Sequence, residues 1–250
     1  MQRFTNKVVI ITGGSSGLGR ASAVRFRQEG ARVVIGDVDA NEGKHIADEL
    51  NGIFVQTDVG DPAAVMRLVD AATQQYGRLD VMFNNAGVRG PAGPLTDLPL
   101  KDYEALVSTN LNGVVYGVQV AARVMLQQAG GGTIVNTASN GGVLPTASIA
   151  AYCATKAAVI ALSQASAIEL APKGVRVNCI CPGVMLSGMT AHLSEEAIKS
   201  LDRLQPIGRA GDLNEMAEAV LFLASDAASY VVGHALVVDG GGVAGRQLGI

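Results

Sequence analysis

The sequence predicts a doubly wound α/β protein, a seven-stranded parallel sheet with helices on both faces, built as a single domain over residues 1–250. Short apolar runs alternate with longer segments of helical spacing from one end to the other, the pattern of strand-helix-strand units in a parallel sheet. A glycine-rich turn, Thr12-Gly13-Gly14-Ser15-Ser16-Gly17-Leu18-Gly19, follows the first run directly and opens the first helical segment. The chain is 48% hydrophobic and 16% charged over its 250 residues, enough apolar mass to bury strands on both sides without dividing the core.

Taken in order, the apolar runs place strands at 7–11, 32–36, 53–56, 79–83, 133–136, 175–180 and 236–238. Between them, length and the spacing of Ala, Leu and Val favour helices over 18–29, 63–76, 103–128, 151–170 and 213–223. Right-handed crossovers join such units. The stretches 88–99 and 182–194 are the least regular, with Pro, Gly and polar residues, and both lie beyond strand C-terminal ends, where open α/β sheets bind ligands.

A net charge of -3 and a pI near 5.6 provide no basic field for nucleic acid or anionic lipid. Residues 1–7 lack the apolar run of a secretory signal and 8–11 is too short to cross a bilayer, so a cytoplasmic protein is expected. Cys153, Cys179 and Cys181 form no metal-ligand array and read as reduced and structural. His45, His192 and His234 have no partner at ligand spacing, so no catalytic metal is expected.

The turn from Gly13 to Gly19 suits a dinucleotide. Glycines permit a tight bend and close approach of backbone to ligand, while the helix start offers unpaired N–H groups to a pyrophosphate. A purely structural strand-helix turn would use the same residues. Asp37, at the end of the second strand, can accept hydrogen bonds from the adenosine ribose hydroxyls and repel a 2′-phosphate. Two like charges about 4 Å apart cost on the order of 1 kcal/mol in water and about 4 kcal/mol at an effective dielectric of about 20. Ser16 and Val38 bring no cation beside that ribose, so NAD(H) is expected over NADP(H). The alternative is that Asp37 is a solvated acid or caps a helix at Ala40.

Tyr152 and Lys156 are four residues apart in a helical segment and therefore share a face. A phenol with an ordinary pKa near 10 is a weak base at neutral pH, and an adjacent ammonium favours the phenolate. Ser139, just after the fifth strand, can hydrogen-bond a reacting oxygen. Each of the three residue types is commonly structural on its own; their joint occurrence points to proton transfer.

Together these residues resemble the short-chain dehydrogenase/reductase family, in its roughly 250-residue single-domain branch, over nearly the whole chain. The family's Rossmann-type fold agrees with the sheet expected above. Gly13, Gly17 and Gly19 match its cofactor turn, around which Ser15, Ser16 and Leu18 fall. Asn84-Asn85-Ala86-Gly87 matches its motif after the fourth strand, and Ser139, Tyr152 and Lys156 match its catalytic set.

The resemblance further implies that Asn110 holds a water in a proton relay with Lys156, and that Asp58 and Val59 meet the adenine. Pro182 and Gly183 would lie against the nicotinamide, with the backbone of Met185 and the side chain of Ser187 reaching its carboxamide. Ser187 stands where the family commonly has Thr and keeps the hydroxyl. Asn110 could instead tie up backbone within its helix, and Asn84 to Gly87 could be a turn without a ligand. A substrate lid is expected over about 184–204, where Met185, Leu186 and Met189 would line the substrate or pack beneath it. A homotetramer is implied, joined through 103–128, 151–170 and the C-terminal strand and tail.

The expected activity is reversible transfer of a hydride between NAD(H) and a secondary alcohol or ketone, with Tyr152 as general acid/base. One rival is a 3-oxoacyl-carrier-protein reductase, against which stand Asp37 and the uncharged Gln127 and Gln128, although Lys173 is nearby. Another is a non-catalytic NAD-binding regulator, against which stands the intact set of Asn110, Ser139, Tyr152 and Lys156.

Overall fold

The computed structural model describes residues 2–185, 194, 196 and 205–245. Seven strands, β1 (Val8–Thr12), β2 (Arg32–Asp37), β3 (Ile53–Gln56), β4 (Val81–Asn84), β5 (Gly132–Thr137), β6 (Val175–Pro182) and β7 (Ala235–Val238), form one sheet. Its order is β3-β2-β1-β4-β5-β6-β7, with each neighbouring pair parallel. The chain reverses its direction of travel across the sheet between β1 and β4. A crevice therefore opens at their C-terminal ends.

Side chains alternate across the strands, so each strand feeds two cores. Val9, Ile11, Val33, Ile35 and Phe83 pack on one face with α1 (Gly17–Gln28), α2 (Ala40–Glu49) and α7 (Leu213–Ala224). Val8, Ile10, Val34, Met82 and Ile134 pack on the other with α3 (Pro62–Tyr76), α5 (Gly113–Met125) and α6 (Ala150–Leu170). Each fully buried aliphatic chain contributes about 1.5–3 kcal/mol relative to exposure. Cys179 and Cys181 lie in the second core as free thiols, and Cys153 is buried on α6.

Buried asparagines fix α6 against the sheet. Asn84 on β4 donates to Asn136 on β5 at 2.8 Å, and Asn136 donates to the Ser163 hydroxyl on α6 at 2.9 Å. A buried polar chain of this kind has few alternative partners, so it fixes the position of the helix that carries Tyr152 and Lys156.

The main differences from the sequence expectation concern two helical regions and one strand end. Helix α2 was not expected; its sequence is polar, and only Gly43, Ile46 and Ala47 are buried. It starts because Asp39 accepts hydrogen bonds from the amides of Asn41 and Glu42. The helix expected over 103–128 is two, α4 (Leu100–Val107) and α5, joined by a π turn over Ser108–Asn112. Strand β6 continues two residues past 180, because Cys181 and Pro182 pair with Val237 and Val238 of β7.

Candidate active site

The glycine turn sits at the end of β1. Gly13 has φ 63°, and a Cβ there would lie 2.9 Å from the Ala86 Cα. A Cβ on Gly19 would overlap the Gly13 carbonyl. Glycine is thus demanded by packing at 19 and by both packing and conformation at 13. Ser16 precedes α1 in an extended conformation without a side-chain cap bond. The first amides of α1 therefore keep donor capacity, the arrangement that receives an anionic group at a helix start.

Asp37 ends β2 beside this turn. One carboxylate oxygen accepts from the Ser15 amide at 3.0 Å and the Ser15 hydroxyl at 2.6 Å; the other accepts from the Asp39 amide at 3.1 Å. Asp39, not Asp37, caps α2. A carboxylate offers about four acceptor positions, so Asp37 retains capacity toward the cleft that it lines with the exposed Val38.

Asp58 also lines the cleft while one oxygen accepts from the Gly60 amide at 2.9 Å; Val59 lies beside it, packed against Gly113. The Asn85 and Ala86 amides donate to the Thr12 hydroxyl at 3.0 and 3.1 Å, and the Asn85 side chain donates to the Thr12 carbonyl at 3.0 Å. The post-β4 motif thus braces the crevice and lines it, together with Gly87.

A cleft of about 1650 Å³ runs from Asp37 to Tyr152. At its inner end stand Ser139, Tyr152 and Lys156, with Pro182, Gly183 and Met185 along one wall. Gly183 has no room for a side chain, since a Cβ would lie 2.6 Å from the Asp239 Cβ. Ser139 follows β5, and its hydroxyl accepts from the Gly141 amide at 3.1 Å. Tyr152 and Lys156 project from the first turns of α6, the ammonium 5.8 Å from the phenol ring centre.

Burial pushes the Tyr152 phenol above its ordinary pKa, and a hydrogen bond from Ser139 pulls it part of the way back. This differs from the lowering expected from Lys156, because the phenol's own desolvation outweighs the opposing contributions. The lysine is buried as well, and desolvation brings its pKa down to about 8. Its Nζ donates to the Thr137 carbonyl at 2.8 Å, leaving two of its three donor positions for other partners.

Asn110 is brought near this group but does not line the cleft. It is fully buried in the π turn, where its side chain accepts from the Val88 amide at 2.8 Å and donates to the Val88 carbonyl at 2.7 Å. A Cβ on Gly87 would meet the Asn110 Oδ1 at 3.2 Å and the Lys156 Nζ at 3.4 Å, so both groups converge on the loop after β4. Ser15 and Gly19 support the cleft from behind. Ser187 and most of the lid expected over about 184–204 lie outside the described residues.

Sequence reading missed Thr109 and Thr137 as lining residues, and placed the loop that carries Arg89 at the cleft without singling that residue out. Thr137 precedes Ser139 by two positions on an alternating strand and was findable on that ground. Among the described residues no cluster of His, Cys, Asp and Glu could hold a metal, and no helix is long and apolar enough to cross a membrane.

The family sequence model described as enoyl-(acyl carrier protein) reductase matches residues 13–242. The chain is 40% identical over 244 residues to a 2,5-dichloro-2,5-cyclohexadiene-1,4-diol dehydrogenase of Sphingobium indicum, covering 96% of this chain and 97% of that protein. This chain belongs to the short-chain dehydrogenase/reductase family. It is accordingly an oxidoreductase of a family that uses a nicotinamide cofactor. A solved levodione reductase superimposes on this family member with a TM-score of 0.94 at 36% identity, over 98% of this chain and 100% of that one. A 3-ketoacyl-(acyl-carrier-protein) reductase from Brucella melitensis, solved with NADH, superimposes with a TM-score of 0.92 at 32% identity, over 96% and 99% of the two chains.

Proposed function

We propose that this protein is an NAD(H)-dependent dehydrogenase that interconverts a secondary alcohol on a ring and the corresponding ketone. The observation that carries the reading is the convergence of Ser139, Tyr152 and Lys156 at one end of a cleft whose other end is lined by Asp37. The residues fit a dinucleotide: uncapped helix amides suit a pyrophosphate, a carboxylate with spare acceptor capacity suits ribose hydroxyls, and a buried ammonium with open donor positions suits a second ribose. Once bound, the nicotinamide accepts or supplies the hydride.

The chain's own residues handle the proton and the oxygen. Tyr152 takes the alcohol proton in oxidation and returns it in reduction, and Ser139 donates to the reacting oxygen as charge develops there. Lys156, buried and cationic below its pKa of about 8, stabilises the phenolate formed during turnover. Asn110 holds the Val88 backbone, and through it the loop beside Tyr152. The lid at 184–204 and the whole chain as one dinucleotide-binding oxidoreductase domain belong to the same reading, as does a cytoplasmic homotetramer. Exposed Tyr103, Leu126 and Ile168 on the expected contact helices support the assembly.

The Sphingobium relative's ring diol favours an alicyclic alcohol. A second reading, reduction of a 3-oxoacyl chain on a carrier protein, is favoured by the Brucella neighbour; that protein was solved with NADH, so an NAD(H) preference here is compatible with either reading. An NAD+ reduction screen over ring alcohols, run beside NADH oxidation with a 3-oxoacyl thioester, separates them. Turnover of the thioester alone would overturn the alicyclic assignment, and no turnover of either would favour a non-catalytic NAD-binding regulator.

A further inference from the structure

Arg89 lies in the loop after β4, half-buried, and lines the inner end of the cleft with Tyr152. It also lines an adjoining chamber of about 240 Å³ walled by Pro94, Leu98, Leu106 and Ile149. Among the described residues no carboxylate lies within 4.0 Å of it in an ion pair, and its guanidinium makes no hydrogen bond. Asp97 lines the same chamber but is exposed and accepts instead from the Thr96 hydroxyl at 3.0 Å. A half-buried arginine that lines two adjoining cavities and has no partner among the described residues keeps its full set of donors for a ligand. A planar carboxylate is the ligand best matched to its donor fork.

We propose that Arg89 selects substrates bearing a carboxylate: an alicyclic hydroxy or keto acid whose acid group pairs with Arg89 while its alcohol or ketone oxygen lies at Tyr152. This rests on reading the cleft as the site of alcohol-ketone exchange, and it narrows that substrate class to anions. Arg89 and Tyr152 line both cavities together, in keeping with one substrate reaching both. The chamber would take the ring or its substituents, its apolar walls offering contact.

The test is calorimetric titration of the enzyme with saturating NADH, using cyclohexanecarboxylate and cyclohexanecarboxamide as probes of nearly equal shape. The carboxylate should bind at least about tenfold more tightly than the amide, as a charge-assisted pair requires. Arg89→Met should bring the two affinities within about twofold, and Arg89→Lys should keep part of the preference because it keeps the charge but not the fork. Equal affinities in the unaltered enzyme, no measurable carboxylate binding, or a preference that survives Arg89→Met would overturn the proposal. Tyr152-dependent turnover of neutral ring alcohols is read separately: turnover without carboxylate preference removes the role of Arg89 alone, and preference without turnover removes the catalytic reading.

Discussion

The Asp37 carboxylate holds both the amide and the hydroxyl of Ser15, at 3.0 and 2.6 Å, tying the end of β2 to the glycine turn after β1. The acid proposed to discriminate between cofactors is thus also a brace of the turn that would receive the pyrophosphate. This coupling has a measurable consequence. The unaltered protein should bind NADH at least about tenfold more tightly than NADPH, from like-charge repulsion alone. Asp37→Asn should narrow that ratio toward one and also weaken NADH binding several-fold, because the neutral amide accepts less strongly from Ser15. Fluorescence titration of both nucleotides measures this, and equal affinities in the unaltered protein would refute the assignment.

Tyr152 is the group through which we propose that the proton moves, and its removal would separate chemistry from binding. Tyr152→Phe deletes one oxygen from a nearly buried side chain while keeping the ring that packs on α6. Turnover should fall by about three orders of magnitude or more, in line with the loss of a general acid/base whose role is not shared. NADH affinity should stay within a few-fold. Retained turnover on any substrate found in the screen would remove the role given to Tyr152.

The sheet and most of its strands were legible because parallel strands buried on both faces leave continuous apolar runs, as in Val8 to Ile11 and Val33 to Ile35. The polar helix α2 was not, since a narrow stripe of Gly43, Ile46 and Ala47 makes a weak periodic signal; its capping Asp39 was the clue to weigh. The candidate site was legible where one residue type is chemically indispensable, as at Tyr152 and Lys156. It was illegible where burial decides: no spacing rule shows that Lys156 is itself desolvated enough to reach a pKa of about 8, or that the Asn110 side chain is spent on Val88. The π turn at Ser108–Asn112 reads as helix in the sequence because it is one extra residue within a turn.

Asn110, itself fully buried, makes two short hydrogen bonds to the backbone of the more exposed Val88. Asn110→Leu removes both bonds from a partly buried amide and carbonyl and should destabilise the fold by about 1–3 kcal/mol. Asn110→Asp keeps the acceptor for the Val88 amide but sets a carboxylate against the Val88 carbonyl, and should cost a similar amount at neutral pH. Chemical denaturation gives the stability, and kinetics on a turned-over alcohol give the second readout. If the role is to position the loop beside Tyr152, both variants lose kcat beyond what their remaining folded fraction explains; unchanged kcat per folded molecule would leave Asn110 with a purely structural role.

Lys156 makes folding stability depend on pH in a predictable direction. Burial lowers its pKa from an ordinary value of 10.5 to about 8 in the folded protein. Between those values the unfolded chain binds a proton that the folded chain has released, so stability rises with pH across that window. Below about pH 8 both states are protonated and the full cost of burying the ammonium is felt; above about pH 10.5 neither is, and the dependence ends. Lys156→Met removes this titration without removing the bulk of the side chain. The stability of the unaltered protein minus that of Lys156→Met should therefore climb between about pH 8 and 10.5, with a slope approaching about 1.4 kcal/mol per pH unit. Urea unfolding of both proteins at pH 7.5, 9 and 10 measures the difference directly. Because every other titrating group is common to the pair, a flat difference would mean that the Lys156 ammonium is solvated in the folded state, and the stabilisation of a Tyr152 phenolate by a desolvated neighbour would fail with it.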